Sequence, residues 1–198
     1  MLSHDFGAGF ADPVVDAQAA FRAVLDALAN PGTQQKLTRM SGDCAALTSE
    51  LASTLLTLAD HDTAIWLSLA LNSDPVKGFV GFHTGATVVS DPAKASFAFV
   101  ALGDAMPELA RCNLGTQEYP DRSTTIIAEV PALNGGAQLV LRGPGIRETQ
   151  EISPVGLPGD FVAQWSDNRE LFPRGVDLLL VAGGQVMGLP RSSRIVEA

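Results

Sequence analysis

Lysine is scarce in this sequence: Lys36, Lys77 and Lys94 are the only three among 198 residues. A Schiff-base chemistry would have to bring one of them into a buried polar pocket. All three fall in segments that read as exposed, which argues against an independent pyridoxal enzyme. Cysteine is scarcer still. Cys44 and Cys112 belong to no CxxC or other metal-spaced set, so neither a disulfide framework nor a zinc site is indicated, and both read as reduced thiols at partly buried positions. Long apolar runs are also missing. The longest, near Ala64–Leu71 and Leu178–Ala182, fall far short of the ~20 residues a membrane helix needs. Basic clusters are absent too: 13 Lys and Arg stand against 22 Asp and Glu, a net charge of -9. That balance disfavours nucleic-acid phosphates and anionic membrane surfaces as partners. Met1-Leu2-Ser3-His4-Asp5 lacks the basic start and apolar stretch of a secretion signal, so a cytoplasmic location is expected.

The signatures of self-contained catalysis are missing as well. No Gly-rich loop ends in Gly-Lys-Ser/Thr, no serine sits in a Gly-x-Ser-x-Gly elbow, and no His-Glu-x-x-His occurs. Gly143-Pro144-Gly145 follows a β-rich run but lacks the third glycine and the helix start of a dinucleotide fingerprint, and reads as a turn.

What is present is ordinary globular material, 46% hydrophobic and 18% charged. The length fits one domain spanning 1–198, with 1–12 expected as a mobile N-terminal segment. Asp12-Pro13 opens a helix whose Phe21, Val24, Leu25 and Leu28 recur at helical spacing, and Asn30-Pro31-Gly32 stops it. A second helix is expected from about Ala45 to Ala59, with Leu47, Leu51, Leu55 and Leu58 on one side, and a third over Asp74–Phe82. Thr63–Leu69 and Ala95–Leu102 read as strands, and Pro107–Cys112 as a short helix. Thr124–Val130 and Gln138–Arg142 are β-rich and separated by Leu133-Asn134-Gly135-Gly136, which predicts a hairpin. A helix over Gly159–Glu170 and the strands Val176–Val181 and Gln185–Leu189, joined by Gly183-Gly184, complete the chain. Hairpins demand antiparallel pairs and lone strands after helices suggest parallel ones. The fold class is therefore α/β, a mixed β-sheet flanked by helices.

Few side chains are left to carry chemistry. His4 lies near the start, and His61 sits between two aspartates after a helix end, where a cation complements the dipole. His83, in Phe82-His83-Thr84-Gly85, occupies a helix-to-loop turn and has both a structural and a functional reading. Arginine supplies most of the positive charge in the last third. Arg142, Arg191 and Arg194 flank strand ends and are the candidates for an anion site, as an alternative to surface ion pairs.

Several strings are more particular than generic helix and turn chemistry. They are Phe21-Arg22 with Leu25 and Asn30-Pro31-Gly32; Leu55-Leu56-Thr57-Leu58-Ala59-Asp60-His61-Asp62-Thr63 running into Trp66-Leu67; and Phe82-His83-Thr84. The others are Gly143-Pro144-Gly145-Ile146, Phe172-Pro173-Arg174-Gly175-Val176-Asp177 and Leu189-Pro190-Arg191-Ser192-Ser193. In this order, from about Pro13 to Arg194, the chain resembles the H subunit of the bacterial carbon–phosphorus lyase system for phosphonate degradation. The resemblance implies a fold similar to the large domain of pyridoxal-dependent transferases but without the cofactor site, and hence no cofactor. It implies a homodimer that joins the G, I and J subunits. It also implies a role as an essential structural partner where ATP and a phosphonate become ribose 1-phosphonate 5-triphosphate with loss of adenine. Ser192-Ser193 departs from the threonines expected after the arginine, and Ala105–Arg122 carries nothing that the resemblance places.

Two hypotheses follow. In the first the chain is an assembly subunit with no catalytic residue of its own, carrying an apolar patch on a sheet edge or on the helix bearing Leu55 and Leu58. In the second, a phosphate- or phosphonate-ester-binding transferase subunit, His83, Arg142, Arg191 and Arg194 gather around an anion near a dimer interface.

Overall fold

The computed structural model describes residues 8–42 and 47–196, so His4 and Cys44 lie outside the described residues. Helix α1 (Pro13–Ala29) starts as its residues dictate. Asp12, in extended backbone, accepts from the amides of Val14 and Val15 at 3.1 Å each, and Pro13 presets the first helical φ. The face that α1 buries is only half the expected one: Val24 is in the core and Leu28 packs against it, but Phe21 and Leu25 do not join them. Ala20, Ala23, Val24 and Ala27 point inward, whereas Phe21 and Leu25 are 46% and 49% exposed. Backbone proximity is the reason. A Cβ on Gly188, in the strand beneath, would sit 2.6 Å from the Ala27 carbonyl oxygen, so only small residues fit there and the bulky ones turn outward. Just before α1, Ala8 is buried and Gly9 bridges to Ser41.

Strand β1 (Gln34–Lys36) follows, then α2 (Ser49–Leu58), capped by the Thr48 hydroxyl. The expected start of this helix at Ala45 lies outside the described residues. Next come β2 (Ala64–Leu67), α3 (Asp74–His83), β3 (Thr87–Val89), β4 (Phe97–Val100) and β5 (Thr125–Glu129). The helix expected over Pro107–Cys112 contracts to a single 3-10 turn, Leu109–Arg111. The remaining elements are β6 (Leu139–Arg142), β7 (Gln150–Ile152), α4 (Phe161–Glu170), β8 (Asp177–Ala182), β9 (Gln185–Leu189) and β10 (Arg194–Val196).

Seven strands form one sheet in the order β1-β9-β8-β5-β4-β2-β3. The run β3-β2-β4-β5-β8 is parallel throughout, while β9 pairs antiparallel with both β8 and β1. The turn between β8 and β9 is the one expected from Gly183-Gly184, whose φ values of 59° and 77° match a two-residue primed turn. The other expected hairpin does not form. β5 has parallel neighbours on both edges, β4 and β8, so its ladder has no side left for β6. The Asn134-Gly135-Gly136 stretch instead carries the chain into a second, three-stranded antiparallel sheet, β10-β6-β7.

Strand alternation divides the core in two. Ile65, Phe99, Ile127, Leu179 and Val181 pack with α1, α2 and α3 on one face of the large sheet. Ala98, Val100, Ile126, Leu178 and Leu180 face the other way, onto α4 and the small sheet. The architecture is mixed α/β with helices on both faces of a mixed sheet. Among the described residues no helix is long and apolar enough to cross a membrane.

Candidate functional site

Of the four residues singled out as an anion site, the structure brings two together. Arg142 ends β6 and Arg194 opens β10, and they are register partners across the antiparallel ladder. Their neighbours Leu141 and Ile195 turn to the core, so both arginines project from the opposite, outer face. Neither makes an ion pair among the described residues, where the two found are Arg191 with Asp177 and His61 with Asp62.

Arg191 is committed to the fold. Its Nε donates to Asp177 Oδ1 and Oδ2 at 3.0 and 3.2 Å, its Nη2 pairs with the same carboxylate, and its Nη1 donates to the Pro120 carbonyl at 2.6 Å. The Arg191 amide adds a 2.7 Å bond to Asp177 Oδ1. The two side chains are 14% and 17% exposed. Asp177 opens β8, so this pair ties the exit of β9 to the start of β8 and to the Pro120 turn. His83 is elsewhere again. It closes α3, with its ring 4.3 Å from that of Phe79 and edge-on to Phe82. α3 packs on the opposite face of the large sheet from β6 and β10, which separates His83 from Arg142 and Arg194. His61 is 79% exposed and lies 3.5 Å from Asp62. Lys36, Lys77 and Lys94 are all exposed, as the sequence suggests.

A cavity of about 510 Å³ opens between α4 and β10. α4 contributes Val162, Trp165, Ser166 and Arg169, which its 3.6-residue period places on one face, and Arg194 stands on the opposite wall. Arg169 is one of the arginines of the last third and stands outside the candidate set of His83, Arg142, Arg191 and Arg194. The signal that marks it is its position four residues after the buried Trp165. The Trp165 indole donates to the Ser193 carbonyl at 3.2 Å and stacks on Phe161, so the cavity floor is rigid. The Arg169 guanidinium lies 4.8 Å over the Phe172 ring, and its buried Nε has no hydrogen-bond partner among the described residues.

The carboxyl ends of the parallel strands are where sheets of this kind usually hold ligands, at the point where winding reverses. Here that point lies between β2 and β4, and the chain's own bonds bridge it. The Ser68 hydroxyl accepts the Ala101 amide at 3.0 Å, and Asp104 accepts the Ala70 amide at 2.7 Å. Next to it a cavity of about 380 Å³ is lined by Asp104, Glu108, Glu129 and Asp160. Burial pushes the Glu129 carboxyl up, against hydrogen bonds from the Leu102 amide and the Thr48 hydroxyl that lower it, and Glu50 adds to the upward push. This lining is acidic and suits no anion. Among the described residues no group of three or more His, Cys, Asp or Glu is arranged to hold a metal ion. Cys112 is buried, and that burial pushes its thiol up to about 11, so it is a core residue and not a nucleophile.

The model of the family described as bacterial phosphonate metabolism protein (PhnH) matches residues 8–196. The alpha-D-ribose 1-methylphosphonate 5-triphosphate synthase subunit PhnH of Rhizobium meliloti (strain 1021) is 45% identical over 193 residues, 98% of this chain and 96% of that protein. A putative C-P lyase subunit protein, HtxG of Stutzerimonas stutzeri, is 34% identical over 179 residues, 90% of this chain and 85% of its own length.

Proposed function

The chain belongs to the bacterial phosphonate metabolism protein (PhnH) family, and from that premise we propose that it is an accessory subunit of the carbon–phosphorus lyase system. In this reading it is a single cytoplasmic domain that forms a homodimer and joins the G, I and J subunits. It is required for making ribose 1-phosphonate 5-triphosphate from ATP and a phosphonate. Its fold is shared with the large domain of pyridoxal-dependent transferases, and its three exposed lysines suit a form of that fold without the cofactor.

The observation that carries the assembly reading is the outer face of α1. Val14 (66% exposed), Phe21 and Leu25 follow one another at spacings of seven and four and form one stripe along the helix. An apolar stripe on a helix whose opposite face is already buried marks a contact with another protein. The sequence placed this patch on α2 or a sheet edge. α2 is not available, because Leu51 and Leu55 are fully buried and Leu58 half-buried.

The test is co-purification with the G, I and J counterparts, with and without this chain, and with Phe21→Glu and Leu25→Glu variants. A complex that loses integrity and phosphonate-dependent adenine release without the chain, and that the stripe variants fail to restore although they fold, is the expected result. A free dimer that ignores those partners overturns the reading. The second reading, an anion-binding subunit, is favoured by the Arg142–Arg194 pairing alone, since His83 and Arg191 are placed away from it.

A further inference from the structure

We propose that the cavity between α4 and β10 is an oxyanion site in which Arg169 and Arg194 hold a phosphate or phosphonate group. The proposal deepens the anion-binding reading and adds Arg169, a residue outside the original set.

Four observations converge on it. The cavity, about 510 Å³, lies within the range of pockets that enclose small molecules. Two of its walls carry arginines, and neither arginine has an acid within ion-pair distance among the described residues, although the chain holds 22 acidic residues. Among the described residues the Arg169 Nε is buried with no hydrogen-bond partner, a state that costs stability unless something accepts its hydrogen bond. Arg142 stands directly across the ladder from Arg194, and like charges opposed in a sheet repel one another. A bound oxyanion relieves all three unfavourable features at once.

The chemistry of the lining narrows the ligand. A carboxylate offers two oxygens, whereas a phosphate monoester or phosphonate offers three, enough for the Arg169 and Arg194 guanidiniums and a third donor, the Ser166 hydroxyl. Val162 and the Trp165 floor leave apolar wall for the organic part of an ester or phosphonate. Among the described residues Glu170 is the acid in the lining; it is exposed and lies next to Arg169 in sequence. Its charge sets the site against highly charged polyanions and toward a single phosphoryl group.

The experiment uses the full chain labelled with 15N and follows the Trp165 indole N–H, assigned with Trp66→Phe. Inorganic phosphate, methylphosphonate and ribose 5-phosphate are titrated at constant ionic strength, with acetate as the carboxylate arm. Saturable movement of the Trp165 signal with the phosphorus oxyanions and not with acetate is expected. Arg169→Gln and Arg194→Gln should each weaken it about tenfold or more, the effect of losing one charged hydrogen bond. Arg142→Gln should weaken it less, and Arg111→Gln, away from the cavity, should leave it unchanged. Tighter binding of ribose 5-phosphate than of inorganic phosphate identifies an ester site, and the reverse identifies a free-phosphate site. Either order supports the proposal. Equal response to acetate, a non-saturating drift, or binding untouched by Arg194→Gln overturns it. Arg194 is exposed, so its variant tests binding without challenging the fold. The assembly reading stands or falls separately, by co-purification.

Discussion

Truncating Arg191 to alanine tests whether this arginine is structural. The substitution removes the Nε and Nη2 bonds to Asp177 and the 2.6 Å bond to the Pro120 carbonyl, and leaves Asp177 with the Arg191 amide. Breaking a buried pair from one side costs roughly 3–5 kcal/mol, because the remaining charge stays buried. Here the side chains keep 14% and 17% exposure and the carboxylate keeps one donor, so about 2–3 kcal/mol is the better figure. For a chain of this size each kcal/mol moves Tm by about 2–4 °C, which gives a drop of roughly 4–12 °C. Urea unfolding of wild type, Arg191→Ala, Asp177→Asn and the double variant measures it. The two single losses should exceed the double loss when summed, since the partners share one interaction. A single variant within about 0.5 kcal/mol of wild type, or strictly additive losses, would refute the structural role. Arg191 would then return to the anion site from which its pairing removed it.

Two further outcomes are expected. Gly188→Ala should destabilise by about 1–3 kcal/mol, because its Cβ meets backbone atoms of Ala27 and Leu28 that cannot step aside, and an unchanged urea midpoint would contradict this packing. Cys112 should make stability fall as pH rises from 9.0 to about 11. Its folded pKa lies above the unfolded value, so its contribution is whole below that window and lost through it. Cys112→Ala should flatten the slope of urea midpoint against pH, and parallel slopes would count against the assignment.

Elements with strong local signals were legible in the sequence. Asp12-Pro13 announces α1, the spacing of Leu51, Leu55 and Leu58 announces α2 though not its Thr48 cap, and Gly183-Gly184 announces the β8–β9 hairpin. What was illegible depends on contacts distant in sequence. The three-residue strands β1, β3, β7 and β10 are too short for alternation to register, and each exists because a neighbour supplies its ladder. The outward turn of Phe21 and Leu25 was hidden for the same reason. Helical spacing identifies a stripe but not which of two stripes a strand will press against, and Gly188 decides that from far along the chain. In the candidate site, the Arg142–Arg194 pairing and the Arg169 cavity required knowing that β6 leaves the main sheet. The Asn134-Gly135-Gly136 turn pointed to the opposite conclusion.

The close seating of α1 bears on how tightly anything could hold this protein. At Gly188 and again at Gly145, where a Cβ would come 2.0 Å from the Ala29 carbonyl oxygen, the helix rests on bare backbone. It cannot roll or slide without a clash, so Val14, Phe21 and Leu25 are held at fixed positions before any partner arrives. Association through them then forfeits little freedom, and affinity is set in advance by residues no partner touches. On the proposed assembly role, a methyl group at either glycine would register as faster dissociation from the partner subunits, with Val14, Phe21 and Leu25 all still in place.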